Sequence, residues 1–175
     1  SGPRFTNFLK NNGPWSQLVE FNNIHLRKFN EKQSIHFSEL KIRALKVPHR
    51  DEYSETYGYL FEGKTKTLLF IPDIDKWAKW KIDIDSLIKT VNYALLDGTF
   101  YGQSELPNRN LSEIPHPFVS ESIKQWENWE AKEKAKVFFI HFNHSNRLFD
   151  SRSKEYLYVY EKGFNIAATG MRFEL

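Results

Sequence analysis

Lys46-Val47-Pro48-His49-Arg50-Asp51-Glu52-Tyr53-Ser54 and, after a predicted hairpin, Phe70-Ile71-Pro72-Asp73-Ile74-Asp75 decide how this chain is read. The first stretch ends an apolar strand on a histidine. The second ends the next strand but one on two carboxylates. A third stretch, Ile140-His141-Phe142-Asn143-His144, closes a later strand in the same way. Neutral imidazoles and carboxylates suit zinc, iron or manganese. Residues leaving neighbouring strand ends converge on one rim of a sheet, where a metal site can be built on rigid elements.

Working outward, Leu40–Val47 alternates as a strand with a basic face of Lys41, Arg43 and Lys46. Thr56–Glu62 and Thr67–Ile71 read as a hairpin around Gly63-Lys64, and Pro72 stops the second arm because it has no N–H to donate. Gln33–Phe37 is a brief strand, and Trp15–Phe29 reads as a short cap followed by a strand. Later, helical spacing over Asp75–Thr90, a strand over Asn92–Leu96, a helix over Pro117–Lys132 and a strand over Val137–Ile140 follow in turn. A helix over Ser153–Lys162 closed by Gly163, a strand over Phe164–Ala168 and a terminal strand over Met171–Leu175 complete the chain. Hairpins followed by strand–helix alternation predict an α/β domain, a mixed sheet with flanking helices.

The bulk properties exclude several classes. At 175 residues, the chain fits one domain, 1–175. Its 25 basic and 22 acidic residues leave a charge of +3, too balanced to argue for nucleic acid. With no cysteine there is no disulfide framework, zinc ribbon or thiol nucleophile, which fits a cytoplasmic location. No apolar run is long enough for a membrane span. No Gly-rich phosphate loop and no nucleophile elbow is present.

Each chemical candidate has a plainer reading beside it. His49 and His141 also fit polar loop surface, and Asp73 also fits a turn after Pro72. His116 lies in Ile114-Pro115-His116-Pro117, where two prolines stiffen the backbone around a would-be acid or base. The same prolines also suit a simple helix entry. Asp97, ending a strand in Asp97-Gly98-Thr99, fits a ligand, a carboxylate orienting a histidine, or a turn cap. Asp75 and His144 read as supports behind the ligands, and His25 and His36 as structural. Asn92, Glu105 and Arg109 are candidates for shaping a substrate site.

Taken together these segments resemble the metallo-β-lactamase superfamily, and within it the branch around pyrroloquinoline-quinone biosynthesis protein B. The resemblance rests on Asn11–Leu18, Val47–Tyr53, Ile71–Trp77, Leu95–Phe100, Ile114–Pro117 and Ile140–His144, in family order over nearly the whole chain. It implies half of an αββα sandwich with a site at the sheet edge. It assigns metal ligation to His49, Asp73 and His141, with Asp73 also bridging, and likens His116 to a histidine that assists the leaving group. The family's His-x-His-x-Asp-His signature is absent. The chain therefore reads as the C-terminal half of a longer protein, with an apolar sheet face that pairs with the missing half or a second copy.

The expected function is that of a metal-dependent hydrolase with zinc-activated water acting on an ester or phosphodiester of a small or peptide-derived substrate. One alternative is an iron-dependent oxygenation in quinone-cofactor biosynthesis. Another is a metal-free, non-catalytic fragment or interaction module. The parent protein is expected to be an enzyme and this chain alone to be inactive.

Overall fold

The strands form in sequence order because each is a short apolar run closed by a turn. The computed structural model describes residues 1–29, 33–106 and 114–175. Seven strands make one sheet in the order β1 to β7: Ser34–Phe37, Leu40–Lys46, Tyr57–Glu62, Thr67–Ile71, Tyr93–Asp97, Val137–Ile140 and Asn165–Ile166. β1 to β4 pair antiparallel. β4 to β7 pair parallel. Parallel neighbours need long crossovers, and helices supply them. α3 (Ile84–Lys89) joins β4 to β5. α4 (Val119–Gln125) and α5 (Ala131–Lys134) join β5 to β6. α6 (Lys154–Glu161) joins β6 to β7. The expected α/β class, a mixed sheet with flanking helices, is what the chain adopts.

One sheet face carries the main core. Leu60, Leu69, Ile71, Ala94, Leu96, Val137, Phe139 and Ile166 pack against Ile84 and Ile88 of α3, Val119 and Ile123 of α4, and Val159 of α6. By strand alternation and register, Ile42, Tyr59, Phe61, Phe70, Leu95, Phe138 and Ile140 share the other face. These residues are only half-buried. Phe29 covers Tyr57 and Tyr59 there, and Phe173 covers Tyr93 and Phe138.

The topology makes a single functional rim. β2 is antiparallel to β3 and β3 to β4, so β2 runs with β4, β5 and β6. The C-terminal ends of these four strands therefore lie on one edge. They are tied there by backbone and side-chain bonds: Asp75 N to Pro48 O at 2.8 Å, Ile74 N to Asp97 Oδ2 at 3.1 Å, and Gly98 N to Ile140 O at 2.8 Å.

Several predicted elements differ. Residues 15–29 hold a helix, α2 (Trp15–Glu20), and no strand; the amides of Asn23 and Ile24 both turn back to Leu18 O. α1 (Pro3–Asn11) precedes it. His25 therefore lies in no strand, and both it and His36 are exposed. The Asp75–Thr90 helix divides into a 3-10 turn over Trp77–Lys79 and α3. The Trp77 and Trp80 indoles are tethered to Ser122 Oγ and Lys46 O, and Asp83 caps a fresh start by accepting from Asp85 N. The Pro117–Lys132 helix divides at Trp126, whose ring stacks on Trp129 and whose Nε1 donates to Asp85. Phe164–Ala168 shrinks to β7, and among the described residues Met171–Leu175 pairs with no strand; Phe173 packs on the sheet face. Lys41 and Arg43 sit on one face of β2 and pair with Glu62, while Lys46 points the other way to Asp51.

Candidate metal centre

Five predicted side chains meet at the rim. His49 follows β2 and places Nε2 3.3 Å from Asp73 Oδ2 and Nδ1 3.3 Å from Asp75 Oδ1. Asp73 follows β4, where Pro72 ends the ladder. Lys79 also reaches Asp75, at 2.9 Å. His116 is carried in by the segment entering α4, whose first amides bond to Phe100 O and Tyr101 O. Its ring lies 5.6 Å from that of His49 and edge-on to Phe100. Its Nδ1 is 2.9 Å from Asp97 Oδ2 and 3.4 Å from Asp73 Oδ1.

Asp97, at the end of β5, is fully buried. It accepts four hydrogen bonds: from Ile74 N, Thr99 N (2.8 Å), Thr99 Oγ1 (2.7 Å) and His116 Nδ1. Asp73, Asp97 and His116 offer ligand atoms within 4.8 Å of one another. Proximity alone would make these three a binding set, but the lone pairs of Asp97 are already used. Asp97 is thus bonded to His116 Nδ1 with no lone pair to spare.

Asp73 differs. Its Oδ1 is buried with no hydrogen-bond partner, because the nearby His116 proton goes to Asp97 at the shorter distance. An orphaned buried carboxylate oxygen is costly unless something cationic or a donor satisfies it. Beside it, the Nε2 of His49 faces Asp73, with Asp75 holding the Nδ1 side. A carboxylate holding one ring nitrogen, so that the other is turned toward the site, is the usual support for a histidine ligand. This donor set fits a divalent cation of the zinc or iron type.

His116 is suited to a different role. Burial is the strongest single influence on it and favours the neutral ring. The hydrogen bond and charge of Asp97, with the charges of Asp73 and Asp75, together outweigh that and hold it above the ordinary histidine range. A small cleft of ≈ 200 Å³ lined by His49, Arg50, Phe100, Leu106, Ile114, Pro115 and His116 opens beside it.

His141 follows β6 and is exposed; it joins the network through Thr99, whose Oγ1 is 3.0 Å from its Nδ1. His144 is exposed and makes no hydrogen bond or ion pair with these groups among the described residues. Asn92 lies at the start of β5, on the opposite rim, where its Oδ1 accepts from Thr67 N. Glu105 closes its own loop by accepting from Tyr101 N at 2.5 Å, and burial pushes its carboxyl up. Arg109 lies outside the described residues. Thr99 was assigned no role from the sequence. Its signal was a hydroxyl two residues after a strand-end aspartate, the spacing of an Asx-type turn.

Comparison with known proteins gives the same fold. A family model described as the beta-lactamase superfamily domain matches residues 6–142. Coenzyme PQQ synthesis protein B of Gluconobacter oxydans (strain 621H) is 29% identical over 126 residues, covering 69% of this chain and 40% of that protein. Among solved structures, Zn²⁺-bound PqqB from Methylobacterium extorquens superposes with a TM-score of 0.78 at 18% identity, over 100% of this chain and 64% of that one. The metallo-beta-lactamase fold protein YhfI from Bacillus subtilis gives 0.54 at 14% identity, over 89% and 61%. The chain thus spans well under two thirds of the curated relative and slightly under two thirds of the PqqB structure. With a family domain matched over most of its length and a sheet that superposes on PqqB throughout, the chain belongs to the β-lactamase superfamily, as a metallo-β-lactamase-fold, PqqB-like protein.

Proposed function

We propose that this chain supplies part of a metal-dependent hydrolase site in which His49, Asp73 and His141 hold a divalent cation, zinc first and iron second. The observation that carries the reading is the unpartnered buried Oδ1 of Asp73, whose other oxygen faces the Nε2 of His49 while Asp75 holds the Nδ1 side of that ring; His141 enters from the same rim, tied through Thr99 to Asp97. A bound cation of this type supplies a water of lowered pKa and a polarised substrate oxygen. The residues of the chain do the rest. Asp75 keeps the Nε2 of His49 turned toward Asp73. Asp97 holds the Nδ1 proton of His116, and the elevated proton affinity of that ring lets its Nε2–H serve as general acid to a leaving oxygen. Pro115, Ile114 and Phe100 wall the adjoining cleft.

The substrate class on this reading is an ester or phosphodiester of a small or peptide-derived molecule, without nucleic acid or membrane partners, in the cytoplasm. Among the described residues, no helix is long and apolar enough to cross a membrane. The half-buried second sheet face is the surface for the other half of a sandwich or for a second copy. The similarity to coenzyme PQQ synthesis protein B favours one second reading, an iron-dependent oxygenation of a peptide-derived precursor. Turnover of bis(p-nitrophenyl) phosphate and p-nitrophenyl acetate with Zn²⁺ under argon, set against oxygen uptake with Fe²⁺, separates the two. Anaerobic hydrolysis lost in His116→Ala supports the first. Oxygen-dependent turnover with iron alone replaces it with the second. A folded chain that binds neither metal makes it a non-catalytic module.

A further inference from the structure

We infer that Thr99 is a positioning residue that locks His141 in its Nδ1–H tautomer, so that one buried carboxylate, Asp97, orients two imidazoles at once. The argument is a count of protons. The Thr99 hydroxyl has one hydrogen, and it goes to Asp97 Oδ1 at 2.7 Å. At 3.0 Å from His141 Nδ1, the same oxygen is left only to accept. The proton between them therefore belongs to His141 Nδ1, and Nε2 is left as the free acceptor. On its other oxygen Asp97 takes the Nδ1 proton of His116. The two rings are thus set in the same sense by the two ends of one carboxylate.

The backbone around this relay is built to hold it. His141 has φ +62°, a left-handed conformation that a residue with a side chain seldom adopts, and such outliers concentrate at functional positions. Gly98 lets the strand ends come this close: a Cβ there would lie 2.8 Å from Phe142 Cε1 and 3.0 Å from Ile140 O. Asn143 N donates to Thr99 O at 2.9 Å. The buried Asn146 side chain donates to Gly98 O at 2.7 Å and Thr99 O at 3.2 Å. Four residues of two strand ends are thereby fixed around one hydroxyl. A solvent-facing histidine of no function would require none of this.

The test has two arms. The tautomer arm uses long-range ¹H–¹⁵N correlation spectra of the metal-free chain, recorded at a pH where the ring nitrogens' own shifts show a neutral imidazole. Wild type shows His141 with its proton on Nδ1, Thr99→Ser keeps it, and Thr99→Val moves it toward Nε2 while His116 stays unchanged. An Nε2–H His141 in the wild type overturns the inference without any variant, and an unmoved tautomer in Thr99→Val does so equally. The affinity arm, competition for Zn²⁺ against a chelating dye, rests on the reading of His141 as a ligand. It predicts a loss of about 10- to 100-fold in Thr99→Val, the usual effect of removing a ligand's hydrogen-bond support, and recovery in Thr99→Ser. If His141→Ala leaves Zn²⁺ affinity unchanged while the tautomer still moves in Thr99→Val, the ligand reading fails and the positioning inference stands.

Discussion

Asp97→Asn is a near-isosteric change with a calculable penalty. The carboxylate is fully buried and meets two backbone amides, one hydroxyl and one imidazole. Asparagine keeps one acceptor oxygen and replaces the other by a donor. If the NH₂ takes the Oδ2 side, His116 can adapt by moving its proton to Nε2, but Ile74 N–H is left unpaired. If it takes the Oδ1 side, the Thr99 hydroxyl can rotate, but Thr99 N–H is left unpaired. Either orientation orphans one buried amide, at about 1–3 kcal/mol, and loses at least one charge-assisted bond, at about 1.5–3 kcal/mol. The sum, about 2.5–6 kcal/mol, is a large part of a typical folding free energy of about 5–15 kcal/mol. For a domain of this size it lowers Tm by about 5–24 °C. Urea unfolding of the chelator-treated chain measures it, with Asp75→Asn as control. Asp75 is mostly buried but, among the described residues, its side chain contacts only His49 and Lys79 and holds no backbone amide, so Asp75→Asn should cost clearly less than Asp97→Asn. An Asp97→Asn variant within about 0.5 kcal/mol of wild type, the range of ordinary surface substitutions, would refute the account of Asp97 as the hub of the rim.

Gly98→Ala forces a methyl against Ile140 O and the Phe139 and Phe142 side chains; calorimetry should show about 1–3 kcal/mol of destabilisation, and a neutral effect would mean the strand ends are farther apart. His116 in the metal-free chain should titrate above the ordinary value of about 6.5. A raised folded-state value means its stabilising contribution is complete below the unfolded value and is lost as pH rises through the folded one. NMR titration of the ring checks this, and a midpoint at or below the ordinary value contradicts it. Trp77→Phe removes the donor to Ser122, which is fully buried, and should cost about 1–3 kcal/mol in urea unfolding; an unchanged midpoint would show that Ser122 finds another partner. Phe70→Glu places a charge in the middle of the half-buried second face and should weaken self-association in sedimentation velocity; equal association in both chains would remove that face from the interface.

What the sequence revealed and what it hid follow from different physics. Strand ends were legible because Pro72 cannot continue a ladder and because His49, Asp97 and His141 each close an apolar run. Their convergence followed from alternation of hairpins and crossovers, which places the ends of β2, β4, β5 and β6 on one rim. Helix lengths were not legible. The spacing of Trp77, Trp80 and Ile84 matches one helix, yet the indole N–H groups are held by Ser122 and Lys46, far away in sequence, and Asp83 restarts the helix locally. Phe21 to Phe29 has strand-like apolar spacing, but among the described residues no strand pairs with it. The role of Thr99 was hidden because it depends on which atom of Asp97 each donor reaches.

The most direct test of the central claim is metal content by elemental analysis, after Zn²⁺ loading and gel filtration, of the wild-type chain and of His49→Ala and Asp73→Ala. The account predicts near-stoichiometric zinc in the wild type and its loss in both variants, with the fold retained by circular dichroism. A well-folded wild type that retains no zinc, or variants that retain as much as wild type, would contradict it.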